Sequence, residues 1–208
     1  MNYLSAILTG FCVTFLTTLL PGLINMNVAK ICLRDGKSRA LAFASGAAVI
    51  VFFQAWIAVI FARFIDRRTD VSYLIQEIAI VIFLIISVYF FFFSKKNQIP
   101  HEDPVVSRKS SRFFQGMFLS VLNVFPVPFY VVFSISLASY DYFSFEKYYV
   151  LWFSIGASSG AMMVFYFYTL FVKKIEHKTV FFMKNVNYLL GCVTLLIAIL
   201  GIVKLLKD

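Results

Sequence analysis

Along this chain long apolar stretches alternate with short charged ones. Six stretches approach or exceed the roughly 20 apolar residues that cross bilayer hydrocarbon: 4–29, 40–62, 72–94, 113–138, 148–172 and 185–206. Charge marks most boundaries. Arg34-Asp35-Gly36-Lys37 follows the first stretch, Asp66-Arg67-Arg68 the second and Lys95-Lys96 the third. Asp141 to Lys147 separates the fourth from the fifth, and Lys173-Lys174 closes the fifth. The third is least clean at its start, where Gln76 and Glu77 intrude. The pattern predicts an all-α membrane protein with six transmembrane helices.

The run from Lys95 to Arg112, with Pro100, His101, Glu102, Asp103 and Pro104, is the only long polar linker. It divides the chain into a first three-helix half (1–94), a polar cytoplasmic linker (95–112) and a second three-helix half (113–208). An odd number of crossings makes the second half enter from the opposite side, so any relation between the halves is an inverted repeat. The first half carries Gly10, Pro21 and Ser45-Gly46-Ala47, and the second Gly116, Pro126 and Ile155-Gly156-Ala157. The Gly-to-Pro spacings are 11 and 10, and the Pro-to-Gly spacings 25 and 30. A composition this biased also produces such echoes by chance, so spacing alone leaves the repeat open.

Composition strengthens the membrane reading. The 208 residues are 61% hydrophobic and 14% charged, with a mean hydropathy of +0.86. Soluble domains carry about 45–50% apolar and about 25% charged residues. The 26 phenylalanines suit lipid-facing helices better than an aqueous surface. The net charge of +9 raises the question of nucleic acid, but the basic residues cluster between apolar runs and form no continuous phosphate-binding stripe. They read as orientation anchors: 13 of the 19 Lys and Arg residues fall in loops one, three and five. That side is expected to be cytoplasmic, which leaves both termini extracytoplasmic. Cys12, Cys32 and Cys192 show no metal-type spacing. Nothing basic precedes the first apolar run, which is too long for the core of a cleaved signal.

Candidate chemistry concentrates where the helices should break. Leu20-Pro21-Gly22-Leu23 lies within the first stretch and is followed by Asn25 and Asn27. Proline removes a backbone donor and clashes with the preceding turn, and in lipid such a break persists only where protein or a cavity satisfies the freed carbonyls. Thr14, Thr18 and Asn25, spaced 4 and 7 apart, are expected to fall near one helical face, a polar stripe running through the break. The run reads either as a solute path or as a packing kink with threonines bonded back to the backbone. The fourth stretch repeats the theme in Asn123-Val124-Phe125-Pro126-Val127-Pro128. Paired breaks point to a midplane binding site, and a helix restarting after a break aims free N–H groups at a carboxylate. Small residues (Ala40 to Ala48 in one half, Ser154 to Gly160 in the other) fit close helix crossing. Glu77 is the one carboxylate within a stretch. It is either a proton-coupling site or an interfacial residue. The two histidines, His101 and His177, lie in loops. No metal, cofactor or enzymatic activity is expected.

In length, six stretches, long third loop and two local motifs, nearly the whole chain resembles the lysine exporter (LysE/RhtB-type) family of amino-acid efflux proteins. The first motif corresponds to Pro21-Gly22-Leu23, then Arg34-Asp35-Gly36-Lys37-Ser38-Arg39-Ala40, then Ser45-Gly46-Ala47; the second to Phe114-Gln115-Gly116 leading to Asn123. Two departures matter. Leu23 stands where the family has a second proline, and Val124 where proline follows the asparagine, with Pro126 and Pro128 nearby. The resemblance implies export of amino acids or similar small zwitterions across a bacterial cytoplasmic (inner) membrane, driven by the proton motive force. The two breaks put the expected solute site at Pro21, Gly22, Asn25, Asn123 and Pro126, with Glu77 the candidate for proton coupling. The expected partners are the lipid bilayer and a small-molecule solute, with a homo-oligomer allowed. Export of an inorganic ion or a peptide, or a non-transporting membrane scaffold, are the rival readings.

Overall fold

The computed structural model describes residues 2–19, 22–66, 81, 84–85, 87–88, 108–138, 141–171, 195 and 199. Most of stretches 72–94 and 185–206 therefore lies outside the described residues, though Val81, Leu84, Ile85, Ser87, Val88, Leu195 and Ile199 are helical. The chain divides into two compact units, 1–64 with 102–177 and 65–101 with 178–208. The first unit carries both broken helix pairs.

The described residues form helices and no strand: α1 (Tyr3–Thr18), α2 (Leu23–Asp35), α3 (Lys37–Asp66), α4 (Lys109–Leu122), α5 (Pro126–Ala138) and α6 (Lys147–Leu170). Within α3 and α6 the chain is long and apolar enough to cross a membrane. The pairs α1–α2 and α4–α5 each pass the same test together but are bent, by 74° and 61°. Counting each bent pair as one span gives up to four spans among the described residues, in register with the first, second, fourth and fifth stretches of the sequence. The bend also corrects one detail. Thr14 and Asn25 do not share the face of a continuous helix, because they stand on opposite sides of the first break.

Between α2 and α3 the chain turns on Gly36, whose φ of +90° is a backbone conformation that side-chain-bearing residues rarely adopt. Its carbonyl then accepts the Arg39 and Ala40 N–H groups (3.2 Å each), starting α3.

Small residues set how closely the helices approach. A Cβ on Gly10 of α1 would run into the Phe153 carbonyl oxygen of α6, and one on Gly156 into that of Ile7. A Cβ on Gly46 of α3 would meet the Phe113 carbonyl oxygen of α4, and one on Gly116 that of Phe43. In all four cases the obstructing carbonyl lies three residues before the facing glycine. Such backbone contact maximises dispersion where lipid supplies no hydrophobic drive between helices. Around these crossings Phe43, Ala47, Val164 and Phe165 fill one buried cluster, and Val59, Tyr130, Tyr149 and Phe153 another.

The outward surfaces are apolar too. On α3, Ile57 is 57% exposed and Phe61 54%; on α4, Phe114 is 66% and Phe118 64% exposed. Contiguous apolar surface of this kind is the face a membrane solvates and water does not.

Gly10→Ala and Gly116→Ala are each expected to destabilise the protein by about 1–3 kcal/mol, because the added methyl meets backbone and not a movable side chain. Thermal melting of the purified protein in detergent reads this, with Val124→Ala, at a 62% exposed position, expected to leave the midpoint unchanged.

Candidate functional site

At the second break the sequence explains the geometry atom by atom. Pro126 has no N–H to give Leu122 O, and Pro128 none to give Val124 O, so a helix cannot run through. α4 ends at Leu122 with Asn123 as its cap, and Asn123 N–H bonds Leu119 O and Ser120 O (3.1 Å each). Val124 N–H turns back to Leu122 O, and Val127 N–H to Val124 O (3.1 Å each). Pro126 then opens α5, where a missing donor costs nothing. Val124 and Val127 would have supplied the helical donors for Ser120 O and Asn123 O. Gln54 of α3 donates its Nε2 to both oxygens at 2.9 Å, alongside Asn123 N–H on Ser120 O.

The first break has the same construction from different residues. Leu20 and Pro21 lie outside the described residues, and Gly22 is the extended N-cap of α2, accepting Met26 N–H at 3.0 Å. Thr18 O and Leu19 O have lost the helical donors of Gly22 and Leu23. Asn25 Nδ2 donates to Thr18 O. Tyr168 of α6 donates its hydroxyl to Leu19 O at 3.1 Å. Each break is thus clamped by a side chain of a long small-residue helix, Tyr168 on α6 for one and Gln54 on α3 for the other.

The structure therefore sorts the expected site residues. Asn25 is buried, at 3% exposure, and serves the break itself. Asn123 contributes its carbonyl to the Gln54 clamp and leaves its side chain half-buried. Gly22 and Pro126 are the two restart points. Asn25 and Asn123 each serve their own break. Glu77, like Pro21, lies outside the described residues. Asn27 bonds back to Leu23 O (2.8 Å) and Thr17 to Val13 O (2.8 Å), the local satisfaction that a simple kink predicts. Thr14 behaves otherwise: it is 1% exposed, and its hydroxyl pairs with that of Tyr130 on α5 at 2.8 Å. A buried polar contact thus ties α1 to the restarted helix of the other break.

Four contributors were not singled out by sequence reasoning: Gln54, Tyr130, Tyr168 and Asp35. Gln54 did leave a signal, as the one amide within 40–62. The tyrosines are inconspicuous among 11 tyrosines and 26 phenylalanines. Asp35 reads as a loop charge, yet it is the last residue of α2 and its side chain is 2% exposed. It forms an ion pair with Arg112 in the first turn of α4, with Arg34 3.7 Å away, while Arg39 donates to its main-chain oxygen at 2.9 Å. Arg112 also donates to Gln115. This pair pins the α2–α3 turn to the start of α4. No group of three or more potential metal ligands occurs among the described residues.

No protein-family model, curated protein or solved structure matches this chain, so the chemistry of these breaks is argued from their own geometry.

Asp35→Ala leaves Arg112 buried without its carboxylate and is expected to cost about 3–5 kcal/mol, whereas adding Arg112→Met to it should recover most of the loss in thermal melting. Thr14→Val and Tyr130→Phe each remove one hydroxyl of a buried pair. A double-mutant cycle should return a coupling of about 0.5–1.5 kcal/mol between them.

Proposed function

We propose that this chain is a secondary transporter that exports amino acids or similar small zwitterionic solutes across the cytoplasmic membrane, driven by the proton motive force. In this reading it is a distant member of the lysine exporter family, built from six transmembrane helices as two inverted three-helix repeats. The observation that carries the proposal is the pair of broken spans, each clamped at its freed carbonyls by a helix from the other half of the sequence. Non-helical backbone at membrane depth persists where it is buried in protein or lines a cavity, and paired breaks in two halves mark the solute sites of secondary transporters. A kink needed only for packing has no reason to occur twice at corresponding places.

The repeat is supported by register. Each half runs as a helix, a break, a second helix and a long small-residue helix. Gly10 meets α6 as Gly116 meets α3, with the same offset of three residues to the opposing carbonyl. Four residues beyond each of these two glycines stands a buried hydroxyl, Thr14 in one half and Ser120 in the other. Chance echo in a biased composition does not extend to matched packing partners.

The polarity of the breaks suits a zwitterion. α2 restarts at Gly22 without a side-chain cap, so its first N–H groups and the positive end of its dipole are available to a carboxylate. The basic residues Arg34, Lys37, Arg39 and Arg112 gather at the α2–α3 turn and the start of α4, which orients that end towards the cytoplasm by the positive-inside rule. Glu77 is the carboxylate this reading assigns to coupling.

Cells expressing Asn25→Ala or Asn123→Ala should lose efflux of a loaded amino acid per amount of folded protein in the membrane, measured over a panel of amino acids and dipeptides. Undiminished efflux in both variants sinks the site assignment. Purified protein that carries no solute in liposomes, but co-purifies with a stable partner, would favour the scaffold.

A further inference from the structure

Gln54 is 8% exposed, and its Nε2 is committed twice, to Ser120 O and to Asn123 O. That commitment fixes the amide's orientation. Two carbonyl acceptors require the nitrogen, so the oxygen must face away from them. Gln54 Oε1 is buried and has no hydrogen-bond partner among the described residues. Leaving an amide oxygen in that condition is costly, and native interiors rarely tolerate it without a use. The side chain is held against the C-terminal end of α4, where the last carbonyls carry the negative end of the helix dipole. An acceptor oxygen and a negative dipole end at one place select a cationic donor over a carboxylate or an apolar group.

We propose that Gln54 Oε1, with the C-terminal end of α4, binds the ammonium group of the transported solute, making the α4–α5 break the amine subsite of the path. The assignment rests on the transporter reading above and adds to it one specificity-determining residue and one direction. The amine goes to the second break, and the carboxylate is left to the restart of α2. Gln54 then has two functions on one amide: Nε2 holds the broken helix end in shape, and Oε1 receives the solute. The oxygen is sealed from the surface in this conformation, so the solute reaches it when the break opens to one side of the membrane.

The test uses the full-length chain in liposomes with an imposed pH gradient. The probes are the common amino acids, each beside its N-acetyl derivative, which keeps the carboxylate and side chain but loses the positive charge. Wild type is expected to move at least one amino acid, and to move its acetylated form at least about tenfold less efficiently, the ratio that one buried charge-assisted hydrogen bond supplies. Gln54→Met keeps the volume without an acceptor. It should raise KM for the amino acid about tenfold, change kcat less and narrow the gap between the paired probes. Gln54→Glu loses the two donors to the break but keeps an acceptor and adds negative charge, so KM should stay near wild type and the preference for the amine should persist. A residue that only clamps the break gives the opposite order, because a carboxylate facing two carbonyls is worse than a thioether. That order, or a wild-type KM in Gln54→Met, overturns the assignment. So does a wild type that carries both members of each pair equally well, a result independent of whether any variant folds. A wild type that moves no amino acid overturns the transporter reading itself.

Discussion

Four backbone carbonyls decide how this molecule is built. Thr18 O and Leu19 O at one break, and Ser120 O and Asn123 O at the other, lie in apolar spans where each lost helical donor must be replaced. Asn25 and Tyr168 answer the first pair, and Gln54 answers the second. Leaving buried carbonyls unanswered would cost a few kcal/mol in all, a large fraction of the stability of any domain. The breaks are therefore fixed features of the fold, and the long helices that clamp them have to pass close by.

Close passage is what the glycines allow. Gly10 and Gly156 bring α1 and α6 into backbone contact, and Gly46 and Gly116 do the same for α3 and α4. The crossings seat Gln54 against the end of α4 and Tyr168 against the end of α1. Packing and polar satisfaction are thus one arrangement: widening either crossing by a methyl group also pulls a clamp away from its carbonyls. The Asp35–Arg112 pair acts at the α2–α3 turn, where it ties the first half of the sequence to the first turn of α4. The Thr14–Tyr130 contact ties α1 to α5.

Much of this was legible in the sequence, for identifiable reasons. A span must be apolar along its whole length, so α3 and α6 stand out by hydropathy, and proline cannot be accommodated silently, so both breaks could be located from Pro21, Pro126 and Pro128. Small residues mark close crossings, so Gly10, Gly46, Gly116 and Gly156 were visible as an echo. The clamps were not visible in the same way. A tyrosine such as Tyr168 in an aromatic-rich helix looks like lipid-facing bulk until its hydroxyl is found on a carbonyl 149 residues away in sequence. Asp35 looked like a solvated loop charge because nothing local shows that Arg112 will cover it.

By itself the sequence determined the helices, their apolar faces, the places where they break and the groups of small residues along them. Those follow from hydropathy, missing backbone donors and side-chain volume, all of which act within a few residues. Only the tertiary structure decided which helix crosses which and therefore which side chain meets each freed carbonyl. It likewise decided that Gln54 would spend its nitrogen on the break and leave its oxygen buried without a partner. The physical reason is range. A broken helix announces locally that it needs donors, but apart from Asn25, seven residues beyond Thr18, the donors come from helices 66 to 149 residues away, and only the packed bundle brings them within 3 Å or so of their acceptors.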